Sequence, residues 1–142
     1  MLYARFVCVS VTLKIAADDE SYTYAGGEVV LHGLYWNVVH SVDLDDACVL
    51  AVFAANDNGD AGILAETSTG VMTDDSWKCS AVEQTGWHLP DFDDAAWAQA
   101  WVIGTTDGSH AWAVIEGISA EAKWIWAQDS STNEAYCRKT LC

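Results

Sequence analysis

The sequence predicts an all-β fold, and three observations predict it. Eight tryptophans in 142 residues need a rigid, packed scaffold, because each indole buries a large area and constrains its neighbours. Acidic clusters such as Asp18-Asp19-Glu20 and Asp43 to Asp46 separate the aromatic segments and read as turns. Between two such clusters, Cys48 to Ala55 is an unbroken apolar run of strand length, the signature of a central strand buried on both faces. A chain of this length fits one domain, large enough to bury roughly 70% of its unfolded surface.

The opening residues, MLYARFVCVSVTLK, read as an extended segment. Tyr3, Arg5, Val7, Val9 and Val11 lie on one side and Leu2, Ala4, Phe6, Cys8 and Ser10 on the other. Both sides are largely apolar, so such a strand must be covered on both faces. The single early charge, Arg5, and the interruptions at Ser10 and Thr12 do not match a secretion signal. The segment is also too short and too polar for a membrane helix. Two readings stay open. Residues 1–10 are an arm that pairs with another molecule, or they form an edge strand of their own domain.

Lys14 to Tyr24 alternates around its acidic centre, and Gly26-Gly27 marks a hairpin turn. Val29 to Val39 resumes strand character and carries Trp36; Asp43 to Asp46 then reads as a polar loop. After the Cys48 to Ala55 strand, Asn56 to Asp60 has strong turn chemistry. The next strand starts within Gly62 to Glu66, and Val71-Met72-Thr73 leads to another at Trp77. Asp93 to Ala100 is the only stretch with helical flavour, capped by Asp93 or Asp94 and anchored by Trp97. Trp112 to Ile115 and Ala122 to Ala127 read as strands, the latter with Trp124 and Trp126 on one face and Ile125 on the other. Ala135 to Lys139 closes the sheet.

Charge and cysteines bound the function. With 21 Asp and Glu against 6 Lys and Arg, the net charge is −15. That surface repels nucleic acid and anionic membranes and attracts cations. Five cysteines show no CxxC pair and no zinc spacing. Scattered cysteines in an acidic, Trp-rich chain fit an oxidising, extracellular compartment. Cys79 and Cys137 share similar polar contexts, SWKCS and AYCRK, and are paired on that basis. Cys48, inside the apolar run, reads as a buried free thiol, and Cys8 and Cys142 remain for other pairings.

The spelling TDDSWKCS, then Gly86-Trp87, then FDDAAWAQA and the later Trp124-Ile125-Trp126-Ala127 and Tyr136-Cys137 resembles the galactose-binding-domain-like jelly roll. So does the pair Cys48 to Asn56 and Ala61-Gly62-Ile63-Leu64-Ala65. The resemblance spans Val11 to Arg138. It implies a single jelly-roll β-sandwich over residues 11–142, with residues 1–10 as a surplus arm. It also implies kinship with accessory modules of sugar-cleaving enzymes and with extracellular fibril-forming jelly rolls. The family's sugar-binding loops match no motif in this chain, so no site residue transfers.

No catalytic constellation appears. The carboxylates sit in turn-like clusters, the four histidines are scattered, and no nucleophile elbow or phosphate loop is present. Asn56, Asp57, Asn58 and Asp60 offer oxygens to a calcium ion, but lack an EF-hand's length and closing Glu. Trp36, Trp87 and Trp112 are the candidates for a sugar platform. The leading expectation is a non-enzymatic filament protomer whose Tyr3, Arg5, Phe6, Val7, Val9 and Val11 insert into the next copy, giving an open polymer. Screening of the −15 charge by salt or divalent cations would favour that assembly. The alternative is a monomeric carbohydrate-binding module.

Overall fold

The computed structural model describes residues 9–57, 60–105, 115–129 and 131–141. Two antiparallel sheets pack face to face, and no helix occurs among the described residues. One sheet, in the order β4-β1-β6-β10-β9, joins β1 (Val9–Asp18), β4 (His40–Ala47), β6 (Gly62–Thr67), β9 (Trp101–Thr105) and β10 (Lys123–Trp126). The other, in the order β3-β2-β5-β11-β7-β8, joins β2 (Glu20–Ala25), β3 (Glu28–Leu34), β5 (Val49–Ala55), β7 (Lys78–Ser80), β8 (Ala98–Gln99) and β11 (Glu134–Thr140). This all-β sandwich is compatible with a jelly-roll-like fold.

The period of two along each strand sorts the side chains into layers. Leu13, Ile15 and Ala17 of β1 meet Leu50, Val52 and Ala54 of β5 in the core between the sheets, joined by Ile63, Ala65, Trp77, Ala135 and Cys137. Complete burial of a side chain such as Leu13 or Ile63 stabilises by about 1.5–3 kcal/mol. A second cluster covers the outside of the first sheet, where Ile115, Ile118 and Ala122 pack on Ala16, Leu64 and Trp124. A third covers part of the outside of the second sheet, where Trp87 and Trp97 pack on Ala51 and Tyr136. The aromatics are thus spent in three layers rather than one.

β2 and β3 form the expected hairpin, and both loop glycines have positive φ, 61° at Gly26 and 84° at Gly27. Two consecutive left-handed residues make the turn whose twist matches the flanking strands, and glycine adopts it without a Cβ clash. β5 is the expected central strand, flanked by β2 and β11.

Several expectations are corrected. Asp43 to Asp46 is not a loop but part of β4, an edge strand that keeps Leu44 and Ala47 inside and exposes Asp43, Asp45 and Asp46. Charges on an edge strand deter pairing with other chains, so a run of acids is compatible with a strand there. β3 stops at Leu34 rather than reaching Val39, because Tyr35 takes a left-handed φ of 70° and turns the chain. Asp93 to Ala100 holds no helix. Asp93 Oδ1 accepts from the Ala95 N–H at 3.0 Å in a local turn, and the chain re-extends at β8. Trp124 and Trp126 do not share a layer: Trp124 joins the outer cluster, while Ile125 and Trp126 both join the inter-sheet core. A register shift between Trp124 and Ile125 breaks the alternation, as a bulge does. β11 lies inside its sheet, between β5 and β7, rather than closing an edge.

Cys79 and Cys137 sit opposite each other on β7 and β11 and form the expected disulfide. Cys48 is not a free thiol: it is half-buried at the junction of β4 and β5 and is disulfide-bonded as well.

Candidate functional site

The outward face of the β3-β2-β5-β11 ribbon is organised in three rows by strand register. The first row runs Val29, Tyr24, Ala51, Arg138. The second runs His32, Tyr22, Phe53, Tyr136, and the third Leu34, Glu20, Ala55, Glu134. Residues two apart on these strands face the same way, which places the rows about 7 Å apart.

The second row is aromatic from end to end. Tyr22 stacks on His32 with centroids 4.3 Å apart and planes 8° from parallel. Phe53 lies 6.3 Å from Tyr22 and 5.1 Å from Tyr136. Trp87 arrives from the β7–β8 connection and meets Tyr24 and Tyr136 edge-on at 5.4 and 5.1 Å. Such tilted and edge-to-face pairs are each worth about 0.5–1.5 kcal/mol beyond area burial. Together Tyr22, Tyr24, Val29, Phe53, Trp87 and Tyr136, with Glu83 at the rim, enclose an open cup of about 320 Å³.

The cup's wall is fixed from beneath. Arg138 is only 2% exposed. Its Nη1 donates to the carbonyls of Trp87 (2.6 Å) and Leu89 (2.9 Å), its Nη2 to that of Phe92 (3.1 Å), and its Nε to Asp94 Oδ2 (2.9 Å). The guanidinium also lies 5.2 Å from the centre of the Phe92 ring. One planar fork thereby satisfies three backbone acceptors and a carboxylate and pins residues 87–94 onto the sheet. Burial of the Tyr136 phenol, and then its hydrogen bond to Glu134 Oε2 at 3.0 Å, push its pKa well above the usual tyrosine range. The phenol therefore stays a donor at any physiological pH.

At the third row lies a second hollow of about 380 Å³, lined by Asp19, Glu20, Leu34, Tyr35, Ala55 and Asp57. Asp19 Oδ2 accepts from the Asp57 N–H at 2.8 Å, and Glu20 Oε2 lies 3.0 Å from His32 Nε2. Tyr35 is 68% exposed at its mouth.

The expected site residues are dispersed. Trp87 is 3% exposed and serves the cup as a wall, so it offers no free ring face. Trp36 is half-buried against the outer cluster of the other sheet, so the two tryptophans do not form one platform. Trp112 lies outside the described residues, as do Tyr3, Arg5, Phe6 and Val7 of the arm and the side chain of Val9. Val11, expected on the arm, belongs to the core of its own sandwich because β1 begins at Val9 and pairs with both β4 and β6. Of the calcium candidates, Asn56 is buried, Asp57 and Asp60 are exposed, and Asn58 lies outside the described residues. No three His, Cys, Asp or Glu side chains converge on a metal position among the described residues.

The residues that build the cup were legible only in part. Tyr22 and Tyr24 alternate with the buried Ser21 and Thr23, a period-two signal that marks an outward aromatic pair. Phe53 is hidden within an apolar run that shows no alternation. No protein-family model, curated protein or solved structure matches the chain.

Proposed function

We propose that the chain is a non-catalytic carbohydrate-binding module of the galactose-binding-like jelly-roll type, acting outside the cell. One observation carries the reading: an aromatic row crosses four strands, and three of its rings, Tyr22, Phe53 and Tyr136, line an open cup with Glu83 at its rim. Sugar rings present C–H faces that pack on aromatic surfaces, and their hydroxyls need nearby acceptors such as Glu83 and the tyrosine hydroxyls. The buried disulfide between Cys79 and Cys137 suits an oxidising compartment.

A glycan array followed by titration calorimetry tests this. Tyr24→Ala, which removes the ring between Val29 and Trp87, is expected to weaken the selected sugar about five- to tenfold. Unchanged affinity would remove the cup from the reading.

A second reading, the filament protomer, is favoured by the aliphatic surface at the same place. Val29, which lines the cup, is 52% exposed, and Val82, next to Glu83, is 67% exposed. An apolar segment from a neighbouring copy, with Arg5 facing the acidic rim, suits that surface. Light scattering on the chain with and without residues 1–10 separates the two. Equal particle size supports the sugar module, and a fall in size on truncation supports the polymer.

A further inference from the structure

We infer that the two hollows on the outer face of the β3-β2-β5-β11 ribbon are successive subsites for one linear oligosaccharide bearing protonated amines. The inference rests on the carbohydrate-binding reading above and adds the shape and charge of the ligand.

The argument begins with register. Tyr24, Tyr22 and Glu20 lie at alternate positions of β2, and Ala51, Phe53 and Ala55 lie opposite them on β5. Tyr22 and Phe53 line the aromatic cup, while Glu20 and Ala55 line the acidic hollow. The two hollows therefore adjoin along the same two strands, one step of the pleat apart. From Tyr24 to Glu20 is about 14 Å along the strand, and Tyr35 and Asp57 extend the trough past the strand end. A single pyranose fills one hollow, and a chain of about three or four rings lies along both.

The side chains along this track differ in kind. The cup supplies Tyr22, Tyr24 and Phe53, with one carboxylate, Glu83. The hollow supplies Asp19, Glu20 and Asp57, with Tyr35 exposed at its mouth. Glu134 stands beside Ala55 in the same row. Among the described residues of these rows, two side chains can carry positive charge: His32, held against Glu20, and Arg138, which is buried and already paired with Asp94. A field of this sign repels uronates and sulfated sugars and attracts ammonium groups, more strongly in a concave site than on a flat surface. The net charge of −15 acts in the same direction. The small, half-buried Ala55 on the lining of the acidic hollow leaves the track open where a larger side chain would divide it.

The experiment is a length and charge ladder: glucosamine and its β-1,4-linked oligomers from dimer to pentamer, the N-acetylated series, and oligogalacturonates, each titrated calorimetrically. Affinity for the amine series is expected to rise at least about tenfold from monomer to tetramer and then level off. It should exceed the acetylated series at equal length and fall with added salt, with no binding of oligogalacturonates. Asp57→Asn and Glu20→Gln, both at solvent-accessible positions, are expected to reduce the tetramer-to-monomer ratio and the preference for free amines, with unchanged circular dichroism. Monomer binding as tight as tetramer binding, or a preference untouched by both substitutions, would overturn the inference while leaving the sugar module intact. Failure of every sugar to bind would remove both. Displacement of the amine tetramer by a peptide of residues 1–10, binding more tightly than the sugar, would assign the trough to a second copy of the chain.

Discussion

Arg138→Ala is expected to lower the unfolding free energy by about 3–5 kcal/mol, the usual penalty for breaking a buried ionic cluster from one side. The substitution strands Asp94 and removes the shared donor from the carbonyls of Trp87, Leu89 and Phe92. Those carbonyls must then find new donors, and residues 87–94 lose the contact that holds them to the sheet. The expected signature is therefore double: a fall in the urea midpoint, and a red shift of the emission of Trp87, which opens the segment, and of Trp97, which packs on its Phe92. Arg138→Lys should recover part of the stability but not all, because an ammonium cannot span acceptors arranged around a planar fork. A loss below about 1 kcal/mol, with unshifted fluorescence, would show that the wall holds without its clamp.

The second large effect concerns the bond next door. Cys79 and Cys137 are 58 residues apart, and closing a loop of that length restricts the unfolded chain by about 4 kcal/mol in the entropic account. The paired substitution Cys79→Ala with Cys137→Ala should cost most of that amount, measured as a loss of unfolding free energy. Both sulfurs lie in the core, so a mild reductant without denaturant should leave the bond intact over hours. Rapid reduction of the native protein would show that this part of the sandwich opens readily. Because Arg138 follows Cys137 directly, losses at the two sites should not add.

Much of this fold can be read from its residues, but not the contacts that join distant ones. The all-β class, the Gly26-Gly27 hairpin, the central strand at Val49–Ala55 and the Cys79–Cys137 bridge were all legible. Each follows from local chemistry: a glycine pair, an apolar run, or matching polar contexts. The roles of Arg138 and Asp94 were not. In AYCRK, Arg138 directly follows a core cysteine and counts only as part of its polar context, while Asp94 reads as a turn or cap residue. Their contact joins residues 44 positions apart, and no local pattern encodes it. The candidate site fared similarly. Tryptophans stand out in the sequence because they are rare and large, yet Trp87 is spent on packing and Trp36 packs on the other sheet. The rings that line the cup come instead from tyrosine and phenylalanine, half-buried or buried, on strands whose register brings them into line. Registry between distant strands is a tertiary property, and the aromatic row exists only once β2, β5 and β11 have paired.

The placement of β1 and β11 has a mechanical consequence. Each lies between two hydrogen-bonded neighbours, β1 between β4 and β6, and β11 between β5 and β7. Tension applied along either strand must slide it past both flanks at once, rather than unzip it one rung at a time. Rupture then requires many bonds to fail together, which slows unfolding under load. The covalent bridge from β7 to β11 limits how far the chain can extend even after the strands slip.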